Sequence, residues 1–137
     1  MIKTRDEVYA GVRDLLVESL TLLPDEIREE SRLVEDLGAE SFDALDIVFR
    51  LEKKFGIRIR RGEFIPDFES DELMRYTDGV GKNGRLNDEG LRVLRERYPQ
   101  YDWNNYSRGV NMASLMEPLC VKHIVNYVED KLEGGRR

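Results

Sequence analysis

The sequence predicts an all-α protein, an antiparallel four-helix bundle interrupted by a partly helical insertion. Apolar residues recur at helical spacing in two segments of the first sixty residues and again near the C-terminus. Capping and stop residues bracket those segments. Strand-like alternation is confined to Ile57-Arg58-Ile59-Arg60-Arg61, which reads equally well as extended loop.

The first helix is expected over 5–20. Thr4 and Glu7 have the spacing of a capping box, in which the hydroxyl and the carboxylate each satisfy a backbone N–H. Val8, Val12, Leu15, Leu16 and Leu20 form one apolar stripe, and Pro24 marks its end. The polar loop over 21–40 needs anchors, for which Leu22, Leu23, Ile27, Leu33, Val34 and Leu37 are the candidates. Gly38 suits a positive φ just before the next element.

The second helix is expected over 41–55, with Ser41 as its N-cap and Asp43 in the first turn, where the positive helix end favours an anion. Ala44, Leu45, Val48, Leu51 and Phe55 read as its packed face, and Gly56 as its stop. Phe42, Ile47 and Phe49 fall off that stripe, leaving more apolar surface than packing alone requires.

Beyond 62 the pattern is less regular. A short helix is expected near 67–76, then a turn-rich stretch, then a helix after Asn87 with Leu91, Leu94 and Tyr98 on one side, stopped at Pro99. Tyr101, Trp103 and Tyr106 read as local packing. The final helix carries Val121, Ile124, Val125, Val128 and Leu132 on one stripe, with Pro118 suited to a first-turn position. The expected organisation is a single domain over 1–137, its core formed by 1–76 and 113–133 and its insertion by 77–112.

Composition narrows the function classes. The 137 residues are 40% hydrophobic and 36% charged, with a net charge of −6. Net negative charge argues against nucleic-acid binding, which is driven by lysine and arginine. No apolar run reaches membrane-spanning length, so no membrane insertion is expected. The single cysteine, Cys120, allows no internal disulfide. The N-terminus lacks the apolar run of a signal peptide, and a cytoplasmic monomer is the expectation. Charge is unevenly placed: residues 25–46 hold nine acids against two bases, and residues 50–61 hold six bases against Glu52.

Several local patterns carry little chemistry. Gly79-Val80-Gly81-Lys82-Asn83-Gly84 spells a dinucleotide fingerprint but lacks the strand before it and the helix after it. Cys120 and His123 share a helix face, yet two ligands without companions do not make a metal site. The sequon Asn105-Tyr106-Ser107 means nothing in a cytoplasmic chain, and the tyrosines near 98–106 lack the basic surroundings of a base-stacking groove.

The informative segment is Asp36-Leu37-Gly38-Ala39-Glu40-Ser41-Phe42-Asp43. Its serine stands at a helix start with no histidine or lysine close in sequence to activate it as a nucleophile. Such a hydroxyl suits modification by another enzyme better than catalysis by this chain, and no catalytic residue is assigned. The segment resembles the D-L-G-A-D-S-L-D signature of acyl carrier proteins. The resemblance continues through Leu45-Asp46-Ile47-Val48 and Leu51-Glu52-Lys53-Lys54-Phe55-Gly56-Ile57 and returns over Cys120–Val128, covering 4–60 and 113–133.

The resemblance implies a carrier and no enzyme. A phosphopantetheinyl transferase would attach 4'-phosphopantetheine to Ser41, and acyl groups would ride on the arm as thioesters between loading, transfer and synthase enzymes. The cargo would belong to fatty-acid, specialised lipid or polyketide synthesis. Docking to basic patches on those partners would map to Glu35, Asp36, Glu40, Asp43, Asp46 and Glu52, with apolar contacts from Phe42, Leu45 and Phe49. The sequence departs from the family pattern at Arg50, Lys53 and Lys54, at the bulky Phe42 and Phe49, at Cys120, and in the insertion. The alternative is an interaction module that keeps the carrier fold without the arm.

Overall fold

The computed structural model describes residues 4–40, 42–60, 62–65, 75, 77–78, 85–99, 101 and 119–134. The chain divides into two compact units, Met1–Ile59 with Leu119–Arg137, and Arg60–Pro118.

In the first unit α1 spans Arg5–Leu20. The capping box forms as expected: Glu7 donates its N–H to Thr4 Oγ1 (3.2 Å), and Thr4 donates its N–H to Glu7 Oε1 (3.0 Å). The helix ends at Thr21, which takes a left-handed φ of 56°. Val8, Gly11, Val12, Leu15 and Leu16 are buried, whereas Leu20 is only half-buried. At Gly11 α1 meets Phe55: a Cβ there would stand 2.8 Å from the ring's Cζ, so only glycine permits this approach.

The following loop is pinned from within. Ile27, Leu33, Leu37 and Ala39 are buried, while Leu22 and Val34 are half-buried. Leu23 is no anchor: it is exposed at the edge of a short 3-10 turn, Pro24–Glu26. Backbone hydrogen bonds tie the loop to the segment entering the last helix. Leu33 donates to the Leu119 carbonyl (3.0 Å), Val121 to Ser31 (2.9 Å) and Lys122 to Glu29 (2.8 Å). Gly38 adopts the expected positive φ, 74°.

The second helix, α2, spans Asp43–Phe55, two residues shorter at its start than the sequence indicates. Phe42 precedes it in helical conformation without a capping side chain. Asp43 instead closes the turn, accepting the Glu40 N–H at Oδ2 (2.8 Å) and donating its own N–H to the Glu40 carbonyl (2.9 Å). The packed face also differs from expectation. Ile47, Leu51 and Phe55 are buried with Ala44 and Val48 half-buried, and Leu45 points out. Gly56 terminates the helix at φ 66°.

Because the second unit contributes the next helix, α3, the final helix is α4, Val121–Gly134. Its start lies beyond Pro118, which is outside the described residues. Val121, His123, Ile124, Val125 and Val128 are buried, and Leu132 is half-buried. α1 packs against both α2 and α4, which encloses the core of this unit.

In the second unit α3 spans Asp88–Arg97. Asn87 caps it as expected, its Oδ1 accepting the Gly90 N–H at 2.9 Å. Leu91, Leu94, Tyr98, Tyr101 and Phe64 are buried; Tyr98 stacks on Tyr101, and Phe64 meets Tyr101 edge-on. The Tyr98 hydroxyl donates to the Gly62 carbonyl and the Tyr101 hydroxyl to that of Phe64. Two short strands, β1 (Thr77–Asp78) and β2 (Arg85–Leu86), pair antiparallel. The sequence did not announce them, although the three glycines between them favour chain reversal. They leave the class all-α. The helix expected near 67–76 falls outside the described residues except Arg75, which lies in a turn. Gly79–Gly84, Trp103 and the sequon at 105–107 are also outside them.

Candidate functional site

The site is the junction between the 21–40 loop and α2, continued along the outer face of that helix. Ser41 lies outside the described residues. Its neighbours Glu40 and Phe42 are both exposed, while Ala39 is buried and holds the strand of chain below them. The Ala39 N–H donates to the Leu33 carbonyl at 2.8 Å, so the junction rests on the anchored turn over 32–39.

Phe42, Leu45 and Phe49 are 71%, 77% and 67% exposed. Their spacing of three and four residues puts them on one face of α2. Three large apolar side chains left in water on a single helix face are the mark of a contact surface. This resolves the surplus apolar residues of the helix: Ile47 belongs to the core, and Leu45 joins Phe42 and Phe49 outside.

Apart from Glu40, exposed at the junction itself, the acidic candidates separate into two groups. Glu35 and Asp36 belong to the turn before the junction and both meet Arg32. Asp36 Oδ2 accepts the Arg32 N–H at 2.8 Å, and Glu35 Oε2 lies 3.9 Å from Arg32 Nε. Asp43, Asp46 and Glu52 lie on α2, and each is engaged by the chain itself. Asp43 holds the Glu40 N–H, and Glu52 accepts the Ile59 N–H at 2.8 Å.

Asp46 Oδ2 accepts from the Ser19 hydroxyl on α1 (2.6 Å) and from Arg50 Nε (2.8 Å). The Ser19 hydrogen bond, and then that of Arg50, hold the Asp46 carboxyl below its ordinary range. Arg50 in turn reaches Glu18 Oε2 at 2.9 Å, and its own proton affinity is raised, first by the Asp46 hydrogen bond. Sequence reasoning missed Ser19 and Glu18. The Asp46–Arg50 pair was visible as an i, i+4 spacing, but nothing local foretold that α1 would bring a hydroxyl to it.

His123 is buried on α4, and its Nδ1 accepts the Cys120 N–H at 3.0 Å. It serves the helix start, and no group of metal-ligating side chains occurs among the described residues. Nor is any helix among them long and apolar enough to cross a membrane.

Residues 10–73 match the family model described as a phosphopantetheine attachment site. The chain is 42% identical over 81 residues to an acyl carrier protein of Campylobacter hominis, covering 95% of that protein and 59% of this one. It is 38% identical over 73 residues to an acyl carrier protein of Wolinella succinogenes, covering 88% and 53%. It is 37% identical over 73 residues to one from a Sulfurovum species, covering 89% and 53%. Fold and matched segment thus define a phosphopantetheine-bearing helical carrier domain.

The chain belongs to the acyl carrier protein family. It is a carrier and not an enzyme, and its prosthetic group is covalent 4'-phosphopantetheine. Members of the family work with synthase and transferase enzymes. The junction fits a serine-linked phosphodiester, because the residues on either side are exposed and the thirteen-residue α2 begins directly after it with its positive end. When bound, the arm supplies a thiol on which acyl groups are held as thioesters.

Proposed function

We propose that Ser41 is the attachment residue. The observation that carries this reading is the exposed pair Glu40 and Phe42 around the one serine of the signature, inside the matched segment 10–73. In the loading step the Ser41 hydroxyl oxygen attacks the pantetheine-bearing phosphorus of coenzyme A. A phosphate ester forms, the pyrophosphate bond breaks, and adenosine 3',5'-bisphosphate leaves. The transferase supplies the base and the magnesium, which accords with the lack of a base near Ser41 in sequence.

The docking face comprises Glu35, Asp36, Glu40, Asp43, Asp46 and Glu52 with Phe42, Leu45 and Phe49. It receives the phosphopantetheinyl transferase and the acyl-loading, transfer or synthase enzymes in turn. The chain acts as a cytoplasmic monomer in fatty-acid, specialised lipid or polyketide synthesis, one carrier domain interrupted by an insertion at 77–112.

Incubation with a broad-specificity phosphopantetheinyl transferase, coenzyme A and magnesium tests the attachment. Intact mass is expected to rise by one phosphopantetheine, and Ser41→Ala to abolish the gain. A folded wild-type chain that stays unmodified would instead leave an interaction module that has kept the carrier fold.

A further inference from the structure

We infer that α2 docks on a partner surface whose charge changes sign along the helix, with bases opposite Glu35 and Glu40, an apolar cleft for Phe42, Leu45 and Phe49, and acids opposite Lys53. This rests on the proposed docking face and specifies the chemistry of its partner.

The charge of the helix is the first argument. Asp43–Phe55 contains three acids and three bases, so α2 as a whole is neutral. Its acids occupy mainly the first half and its bases the second. The acids are also partly withdrawn: Asp43 and Glu52 accept backbone N–H groups, and Asp46 is shared by Ser19 and Arg50. Lys53 and Lys54 are both exposed, but the Lys54 stem runs beside Gly11 of α1, which leaves Lys53 as the lysine next to the apolar line, and no hydrogen bond or ion pair engages it among the described residues. The charge on α2 most available to a partner is therefore positive, and it sits at the C-terminal end.

Geometry makes that charge unavoidable. Lys53 follows Phe49 by four residues and so continues the line of Phe42, Leu45 and Phe49. Any cleft that covers the three apolar side chains reaches Lys53 at its far end. A cleft rimmed entirely by arginine and lysine would meet like charge there, which acts against the encounter and the docked register. Arg50 adds to the effect, since it covers Asp46, the acid that borders the apolar line at its middle.

The test uses a ketoacyl synthase whose carrier-docking patch is built of arginines and lysines, and a derivative with glutamates at the patch positions facing the C-terminal half of the carrier helix. Arm loading is read first by intact mass. A chain that refuses the arm sinks the attachment proposal before the synthase is added, whereas a loaded chain isolates the docking question. The kcat/KM for acyl transfer is then measured with both enzymes for wild type, Lys53→Gln and Lys53→Glu, with folding checked by circular dichroism.

Wild type is expected to prefer the glutamate-bearing synthase by about tenfold, the glutamine variant to lose the preference, and the glutamate variant to reverse it, each contrast shrinking with added salt. A wild-type preference for the all-basic patch, or one the lysine substitutions leave in place, overturns the inference. So does a wild-type chain that dimerises or sediments with anionic lipid vesicles through this face, since either assigns it another occupant.

Discussion

The Ser19 hydroxyl on α1 donates to the Asp46 carboxylate on α2 across 2.6 Å, on the flank of the apolar line Phe42, Leu45 and Phe49. A side chain expected to face partners is thus also a bridge between two helices of the bundle. Its charge is shared with Arg50, which reaches back to Glu18 on α1.

That sharing has a pH signature. The carboxyl of Asp46 is held below its ordinary range, so the bridge contributes stability above the unfolded-state pKa and loses it as pH falls through the lower folded-state value. A carbon-detected titration of the Asp46 carboxyl should show Ser19→Ala and Arg50→Gln each moving its midpoint upward, towards the ordinary aspartate value. An unchanged midpoint in both variants would mean that the bridge does not persist in solution.

Gly11 offers a packing test. Alanine there would gain about 1 kcal/mol of helix propensity, but its Cβ would stand 2.8 Å from Phe55 Cζ and 3.2 Å from Cε1. Phe55 is buried, and overpacking of this kind costs about 1–3 kcal/mol. Gly11→Ala should therefore destabilise by about 1 kcal/mol net. Adding Phe55→Leu, which shortens the obstructing ring, should make the alanine favourable relative to that background. Urea denaturation of the four proteins in the cycle reads both signs, and a stabilised Gly11→Ala single variant would show that the helices separate easily.

His123 is expected to matter for stability rather than chemistry. Its Nδ1 accepts the Cys120 N–H, the role that glutamate plays three residues into a capped helix. Removing the ring leaves that N–H without its acceptor and opens space in the core. His123→Ala should cost about 1–3 kcal/mol, and His123→Gln, which keeps an acceptor, less. Arm loading should be normal in both at a temperature where they are folded. Loss of loading in a folded variant would give this histidine a part that its hydrogen bond does not suggest.

Where one local signal decided an element, the sequence was sufficient to read it. Thr4 with Glu7 located the start of α1, and Asn87 with Pro99 bracketed α3, because caps and stops act within a few residues. The packed face of α2 was misread because the helix carries two apolar lines. Periodicity detects both and cannot tell which one a neighbouring helix will cover; the structure buries Ile47 and leaves Leu45 outside. The start of α2 shifted for a related reason. Asp43 closes the turn before the helix with its own carboxylate, which accepts the Glu40 N–H, and the regular helix begins there. Ser19 was invisible for want of any local pattern at all. Its importance arises only when α1 and α2 are laid together.

The pairing of residues 29–33 with 119–122 has a consequence for how the carrier unit is made. Its last wall, α4, arrives only after the whole of Arg60–Pro118 has been traversed. Each doubling of such an excursion adds only about 0.6 kcal/mol of closure entropy, so the finished bundle tolerates it at little thermodynamic expense. The burden is kinetic. Until Leu119 returns to Leu33, the flank of α1 that α4 will cover remains open, and a nascent chain at that stage is a target for chaperones and proteases alike.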